Sequence, residues 1–360
     1  LNCHGPLRMV KVAQGMPRLA ALVHISTAFA NIHLGGQFTE ERIYGFPLGN
    51  ADEVFDKIEK MSEKDLIAYE CKVLETFKNT YYAGKALMEC LLQSRYKFWG
   101  LPIVIVRPSG ITGALSEPVP GWVEGIAGPA ACSVVCGLGV VQEWIGDASY
   151  AAPIVPVDWV CKTTLMAATA ADRTLDKIPV FQSCTSSHCR LTMDALFYSN
   201  VKYWQTVKHP KGRISTDIRF HMYTGPDFEQ RFRQRFTKEL ISSLDENKKE
   251  LRRMLAKAHR IPHLYGVLYM LDHNLDITNT LALDRIAPKA LFGDMKSGIN
   301  WPAYLHESNL GIHRYLLKEQ VDRNVVVEYS WESIQRKYTP TENNNVINKQ
   351  ENTSTTISRL

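Results

Sequence analysis

Tyr81 and Lys85 stand four residues apart in Tyr81-Tyr82-Ala83-Gly84-Lys85, a Y-x-x-x-K. On a helix this spacing stacks the two side chains on one face, one turn apart. A phenol with a pKa near 10 is a weak acid–base group at neutral pH. A neighbouring ammonium favours the phenolate and brings the tyrosine closer to a working proton donor. Two other segments offer partners. Ser26-Thr27 follows the apolar run Ala21-Leu22-Val23-His24-Ile25, and Pro108-Ser109-Gly110 follows the run from Ile103 to Arg107. Both runs have the character of buried parallel strands, and open α/β sheets bind ligands at the carboxyl ends of such strands. A hydroxyl (Thr27, with Ser26 as the adjacent alternative), a Tyr/Lys pair and a loop are therefore expected at one sheet edge. The plainer assignment makes Thr27 a helix cap and Lys85 a surface charge.

The positioning elements follow from periodicity. Residues 7–20 pattern as an amphipathic helix, and 51–61, 65–77 and 81–96 as three more. Further short apolar runs at 152–157 and 179–182 predict strands, with a helix at 159–171 between them. Helix, strand, helices, strand indicates an α/β fold with a Rossmann-type parallel sheet. Beyond Lys208 the sequence turns charged and mainly helical, which marks a second, helical unit. The stretch from Gly125 to Val141 carries no charge but contains Pro129 and several glycines, so it is expected to be a ligand-lining loop rather than a membrane span.

Composition narrows the classes. With 360 residues, 45% hydrophobic and 22% charged, the chain can bury a full core. A net charge of +5 is too mild for a nucleic-acid binder. The charge is uneven, with 14 Lys or Arg against 7 Asp or Glu between Lys208 and Arg260. Such a patch suits an anionic ligand or an acidic membrane face, so peripheral membrane contact is one expectation, beside a merely solvated face. The eight cysteines form no C-x-x-C pair. Cys184, His188 and Cys189 are the nearest approach to a ligand set, and no metal site is expected. No signal peptide is recognised, so the thiols are expected to be reduced.

The segments HISTAFAN (24–31), EERIYGFP (40–47), NTYYAGKALMECLL (79–92), IVRPSGI (105–111), EPVPGWVEGIAGP (117–129) and APIVPVDWV (152–160) together resemble a family. They are similar to the alcohol-forming fatty acyl-CoA reductases, the male-sterility group of extended short-chain dehydrogenases/reductases. Residues 281–319 resemble the C-terminal sterile domain of the same group. The resemblance implies NADPH as cofactor, a long-chain acyl-CoA as substrate, and a fatty alcohol formed through the aldehyde. It places Tyr81 and Lys85 on the catalytic and ribose-binding pair and Thr27 or Ser26 on the assisting hydroxyl. Pro108, Ser109 and Gly110 fall beside the nicotinamide, and Pro120, Gly121, Trp122 and Gly128 in the segment covering the acyl substrate.

The family's G-x-x-G-x-x-G turn, which holds the cofactor pyrophosphate at a helix N-terminus, does not occur before Ser26. The resemblance puts Asn2 to Gly5 mid-domain, so an N-terminally truncated, incomplete sheet lacking its first strands is expected. The expected organisation is the C-terminal part of a reductase domain at 1–185, a basic helical connection at 186–264, a sterile-type domain at 265–320 and a disordered tail at 338–360. Ser358-Arg359-Leu360 is a near match to the S-K-L peroxisomal address, with a cytoplasmic or membrane-associated location as the alternative. Two other functions stay open: another extended reductase or epimerase, and a non-catalytic remnant.

Overall fold

The computed structural model describes residues 2–207, 218–242, 258, 260–288, 295, 298–322 and 327, with side chains to 235 in the second of these spans. The expected tail at 338–360, the terminal tripeptide and much of the basic segment lie outside the described residues.

At the centre is a parallel sheet in the order β1 (Leu22–Ile25), β2 (Ile103–Pro108), β6 (Val180–Ser183). Ile25 pairs with Val106, and Val106 pairs with Phe181, so β2 and β6 end level at Pro108 and Ser183, two residues beyond the end of β1. Every residue of β2 is buried, as both-face coverage of a parallel sheet demands. Successive residues of β2 serve opposite layers. Ile103 and Ile105 pack with Val10 of α1 (His4–Gln14) and with Met88, Leu92 and Tyr96 of α4 (Thr80–Trp99). Val104 and Val106 pack with Trp159 and Val160 of α6 (Val157–Ala168) and with Leu283 of a later helix, α10 (Thr278–Ile286). The result is a three-layer α/β sandwich. Each such aliphatic side chain contributes about 2 kcal/mol through burial.

The helices begin where the sequence caps them. Asn50 caps α2 (Ala51–Lys60), Ser62 caps α3 (Glu63–Phe77), and Asn79 caps α4, each by accepting from backbone N–H groups in the first turn. Lys78, at φ 61°, ends α3 in the left-handed region and turns the chain directly into α4. Two short parallel pairs adjoin the sheet: β3 (Gly110–Thr112) with β5 (Ile154–Pro156), and β4 (Glu143–Ile145) with β7 (His221–Tyr223).

The stretch expected to be a loop contains a helix instead, α5 (Gly128–Gly137). Pro129 occupies its first turn, where a missing N–H costs nothing. From Ala130 to Gly137 it is buried all round, so it carries no polar face to betray a helical period. Helices α7 (Met193–Thr206), α8 (Pro226–Ser242), α9 (Ile261–Tyr269) and α11 (Trp301–Gly311) complete the described architecture, with α10 tied to α6 by a buried Lys162–Asp284 ion pair at 2.6 Å.

Candidate active site

The end of α4 fixes the first functional side chain. Asn79 Oδ1 accepts from the backbone N–H of Tyr81 at 2.7 Å, so the helix starts with Tyr81 in its first turn, over the carboxyl end of β1. One turn on, Lys85 Nζ donates to the Ile25 carbonyl at 2.8 Å and lies 5.8 Å from the centroid of the Tyr81 ring. The backbone N–H of Ser26 continues the sheet by donating to Val106. Beyond it Thr27 Oγ1 accepts from the Phe29 N–H at 3.3 Å and lies near enough to Tyr81 to lower the pKa of its phenol. Thr27 is thus both a cap, as the plainer reading held, and a partner of Tyr81.

The electrostatics differ from the expected Tyr/Lys couple. Burial raises the Tyr81 pKa, and the group that pulls it back down is Thr27, not Lys85. Lys85 is itself held below the usual ammonium range by burial, with the nearby Glu89 carboxylate opposing this. One of its N–H groups donates to a strand carbonyl, and the ammonium stands 5.8 Å from the centre of the phenol ring. Tyr81 therefore stands protonated at neutral pH, as a proton donor must.

Tyr81 opens onto a cavity of about 490 Å³, well within the range of small-molecule sites. Ser26, Thr27, Tyr81, Pro108, Ser109, Gly110 and Gly128 all line it, so three separate segments do converge at one sheet edge. Ser26 Oγ and Ser109 Oγ are buried there without a hydrogen-bond partner among the described residues. Gly110 has no room for a side chain, since a Cβ would stand 2.7 Å from the Pro153 carbonyl oxygen. Lys85 does not line the cavity; it braces the floor behind Tyr81.

The match to known proteins follows these elements. Residues 1–164 match the family model described as male sterility protein, an NAD-binding domain. Over these residues, a little under half of its length, the chain is similar to the male-sterility family. It is 34% identical over 167 residues to fatty acyl-CoA reductase wat of Drosophila melanogaster, covering 46% of this chain and 31% of that protein. To fatty acyl-CoA reductase 2 of Mus musculus it is 26% identical, covering 89% of this chain and 63% of the relative. The chain thus spans less than two thirds of the length of these relatives. Among solved structures it is similar to a thiolation-reductase di-domain from an archaeal non-ribosomal peptide synthetase, with a TM-score of 0.49 and 15% identity over 89% of this chain and 54% of that one.

Three of the expected substrate-covering residues lie elsewhere. Pro120 lines a separate void beside Glu307 and Arg314. Gly121 donates its N–H to Ala114 and packs its backbone against Glu307 and Gly311 of α11, and Trp122 closes a turn with Val119. Of that group only Gly128 reaches the cavity, where its N–H donates to the Tyr265 hydroxyl at 2.8 Å.

The opposite wall comes from residues that carried no motif. Leu196, Phe197 and Asn200 share one face of α7, and Leu264, Tyr265, Leu268 and Tyr269 share one face of α9. All lie beyond residue 164, where the family match ends. Their i, i+3 and i+4 spacing was the available signal, and it is the same signal any core helix gives. Cys132 also faces the cavity, but burial pushes its thiol up to about 12, far from a nucleophile.

Among the described residues no three His, Cys, Asp or Glu side chains cluster as a metal site. His188 Nε2 is 3.0 Å from the Met295 carbonyl, and Cys189 Sγ accepts from the Ile299 N–H. No helix among these residues is long and apolar enough to cross a membrane.

Proposed function

We propose that this chain carries the acyl-binding and proton-donating part of a fatty acyl-CoA reductase that uses NADPH to reduce a long-chain acyl-CoA, through the aldehyde, to the primary alcohol. The observation that supports this most is the convergence of Thr27, Tyr81 and Ser109 on one largely apolar cavity, in a chain whose residues 1–164 match the male-sterility family.

The residues present fit a nicotinamide. Ser26 and Ser109 bring buried hydroxyls without protein partners to the cavity, beside the glycine that lets the backbone come close. Tyr81 and the loop Pro108-Ser109-Gly110 would hold the ring and its ribose, with Lys85 bracing Tyr81 from behind, and the reduced cofactor, when bound, supplies the hydride. Tyr81, a phenol that is neutral at pH 7, holds the proton that the carbonyl oxygen takes up. Thr27 donates to Tyr81 and steadies negative charge as that proton leaves. The wall from Leu196, Phe197, Leu264 and Leu268 excludes water and accepts the hydrocarbon chain. The first reduction adds one hydride and one proton to the thioester and breaks its C–S bond, giving aldehyde and free CoA thiol. The second adds one hydride and one proton to the aldehyde, giving the alcohol.

The test is to extend the chain at its N-terminus with the corresponding residues of the Mus musculus relative and supply palmitoyl-CoA with NADPH. Formation of hexadecanol, lost in Tyr81→Phe, is expected. Inertness toward acyl-CoA combined with turnover of a UDP-sugar would replace this reading with an epimerase.

Two accompanying proposals rest on the sequence. The basic segment 208–260 touches an acidic membrane face, and Ser358-Arg359-Leu360 directs the protein to peroxisomes. A fluorescent protein carrying residues 321–360 should form peroxisomal puncta that disperse when Leu360 is deleted.

A further inference from the structure

The main cavity has a neighbour. A smaller void of about 30 Å³, between β3, α7 and α11, shares three wall residues with it: Pro129, Leu196 and Asn200. Asn200 is the one amide among them, and it is only 5% exposed.

Its orientation is dictated by a hydrogen-bonded chain with a single possible direction. The Trp204 indole can only donate, and it donates to Ser133 Oγ at 3.0 Å. Ser133 in turn donates to Asn309 Oδ1 at 2.6 Å. That leaves Asn309 Nδ2 facing two acceptors, the Leu305 carbonyl at 2.9 Å and Asn200 Oδ1 at 3.0 Å. A carbonyl cannot donate, so neither amide can be flipped without breaking the chain. Asn200 must turn its oxygen to Asn309, and its NH₂ group, two donors, has no acceptor among the described residues, beside a wall that holds Leu196, Phe197 and Pro129. Bonds aligned head to tail polarise one another and sharpen the last donor. An unmet donor in apolar surroundings is costly, whereas a pocket of this type uses a few placed polar groups to read its ligand.

We propose that the Asn200 amide is a recognition point of the substrate cavity, donating a hydrogen bond to a carbonyl or hydroxyl oxygen of the bound acyl thioester away from the reacting carbon. The proposal rests on the acyl-CoA reading above. An acyl thioester offers such an oxygen from two sources, the amides of the pantetheine arm and an oxygenated acyl chain, and the same donor suits both.

Calorimetric titration of the extended chain described above with three ligands separates the cases: palmitoyl-CoA, a hydroxypalmitoyl-CoA, and the palmitoyl thioester of ethanethiol, which has no pantetheine. Asn200→Leu is expected to weaken binding about fivefold, the scale of one hydrogen bond. A loss confined to the hydroxyacyl ligand assigns the acyl chain. A loss on both CoA esters but not on the ethanethiol ester assigns the pantetheine. Asn200→Asp keeps the acceptor that Asn309 needs while replacing the outward donors with an oxygen, so it should weaken the same ligands at least as much and controls for folding. Unchanged affinities in both variants overturn the proposal and leave the acyl-CoA reading standing. Failure of the unmutated chain to bind any of the three overturns both.

Discussion

Arg107 grips Glu89 through two parallel hydrogen bonds, Nε to Oε1 at 2.9 Å and Nη2 to Oε2 at 2.5 Å, with neither side chain in contact with water. Glu89 lies one turn beyond Lys85 on α4, and Arg107 is on β2, so one helix face is fastened to two adjacent strands. Lys85 holds β1 at the Ile25 carbonyl and Glu89 holds β2. These two attachments set where α4 stops along the sheet, and hence where Tyr81 meets Thr27. The bidentate fork makes the register specific.

Removing one partner of that pair should be far worse than removing both. Glu89→Gln leaves a buried guanidinium uncompensated and is expected to cost about 3 kcal/mol, read from the denaturant midpoint. The double variant Glu89→Met with Arg107→Met should recover most of that loss, because a well-packed apolar pair repays no desolvation. Equal destabilisation by the single and double variants would sink the argument.

Burial raises the Tyr81 pKa and Thr27 opposes it, which predicts a direction. Thr27→Val removes the hydroxyl that lowers the phenol's pKa, so burial acts unopposed and the pKa rises further. The phenol must be protonated to donate, so the alkaline limb of a pH–rate profile should move to higher pH while maximal turnover falls. Ultraviolet titration of the tyrosines should show the same upward displacement. A limb shifted to lower pH would assign the Thr27 hydroxyl the opposite sense.

The sheet and its first helices were legible because their causes are local. The apolar runs that begin at 21, 103 and 179, and the helical periods at 51–61, 65–77 and 81–96, need no tertiary information to recognise. The convergence of Thr27, Tyr81 and Ser109 was legible for the same reason, since strand ends and helix starts are where they had to be. What failed had non-local causes. Helix α5 is buried on all sides, so its glycines and proline read as a loop. The family resemblance puts Pro120 to Trp122 with Gly128 over the substrate, yet the chain turns there to let Gly121 lie against α11, almost two hundred residues on. The cavity's second wall, from α7 and α9, exists only once the fold has closed.

That contact between Gly121 and α11 can be probed directly. A Cβ added at Gly311 would fall 1.7 Å from the Gly121 carbonyl oxygen, so the loop and helix touch backbone to backbone. Gly311→Ala should cost about 3 kcal/mol of stability by forcing them apart. Amide hydrogen exchange should rise at the Gly121 N–H, which donates to Ala114. A melting temperature within a degree of the parent, with unchanged exchange, would show that the two backbones are not in contact.

His273 makes stability depend on pH. The ring lies edge-on to Phe29, with centroids 5.1 Å apart, and its Nε2 is 2.9 Å from the Leu268 carbonyl oxygen. Burial holds its pKa down at about 4, against a neighbouring Asp272 that pulls upward. In the unfolded chain the same imidazole has a pKa near 6.5. As pH falls, the unfolded state takes the proton first, so stability is fully present above about 6.5 and is lost progressively down to about 4. The interval is worth about 3 kcal/mol. His24, buried and lowered to about 4 as well, adds a similar slope, so the comparison must hold it constant. His273→Gln does so while keeping a donor for Leu268. The stability advantage of the parent over His273→Gln, measured by urea unfolding at a series of pH values, should shrink by about 3 kcal/mol between neutrality and pH 4. Parallel curves for the two proteins would mean that His273 is solvated in the folded state.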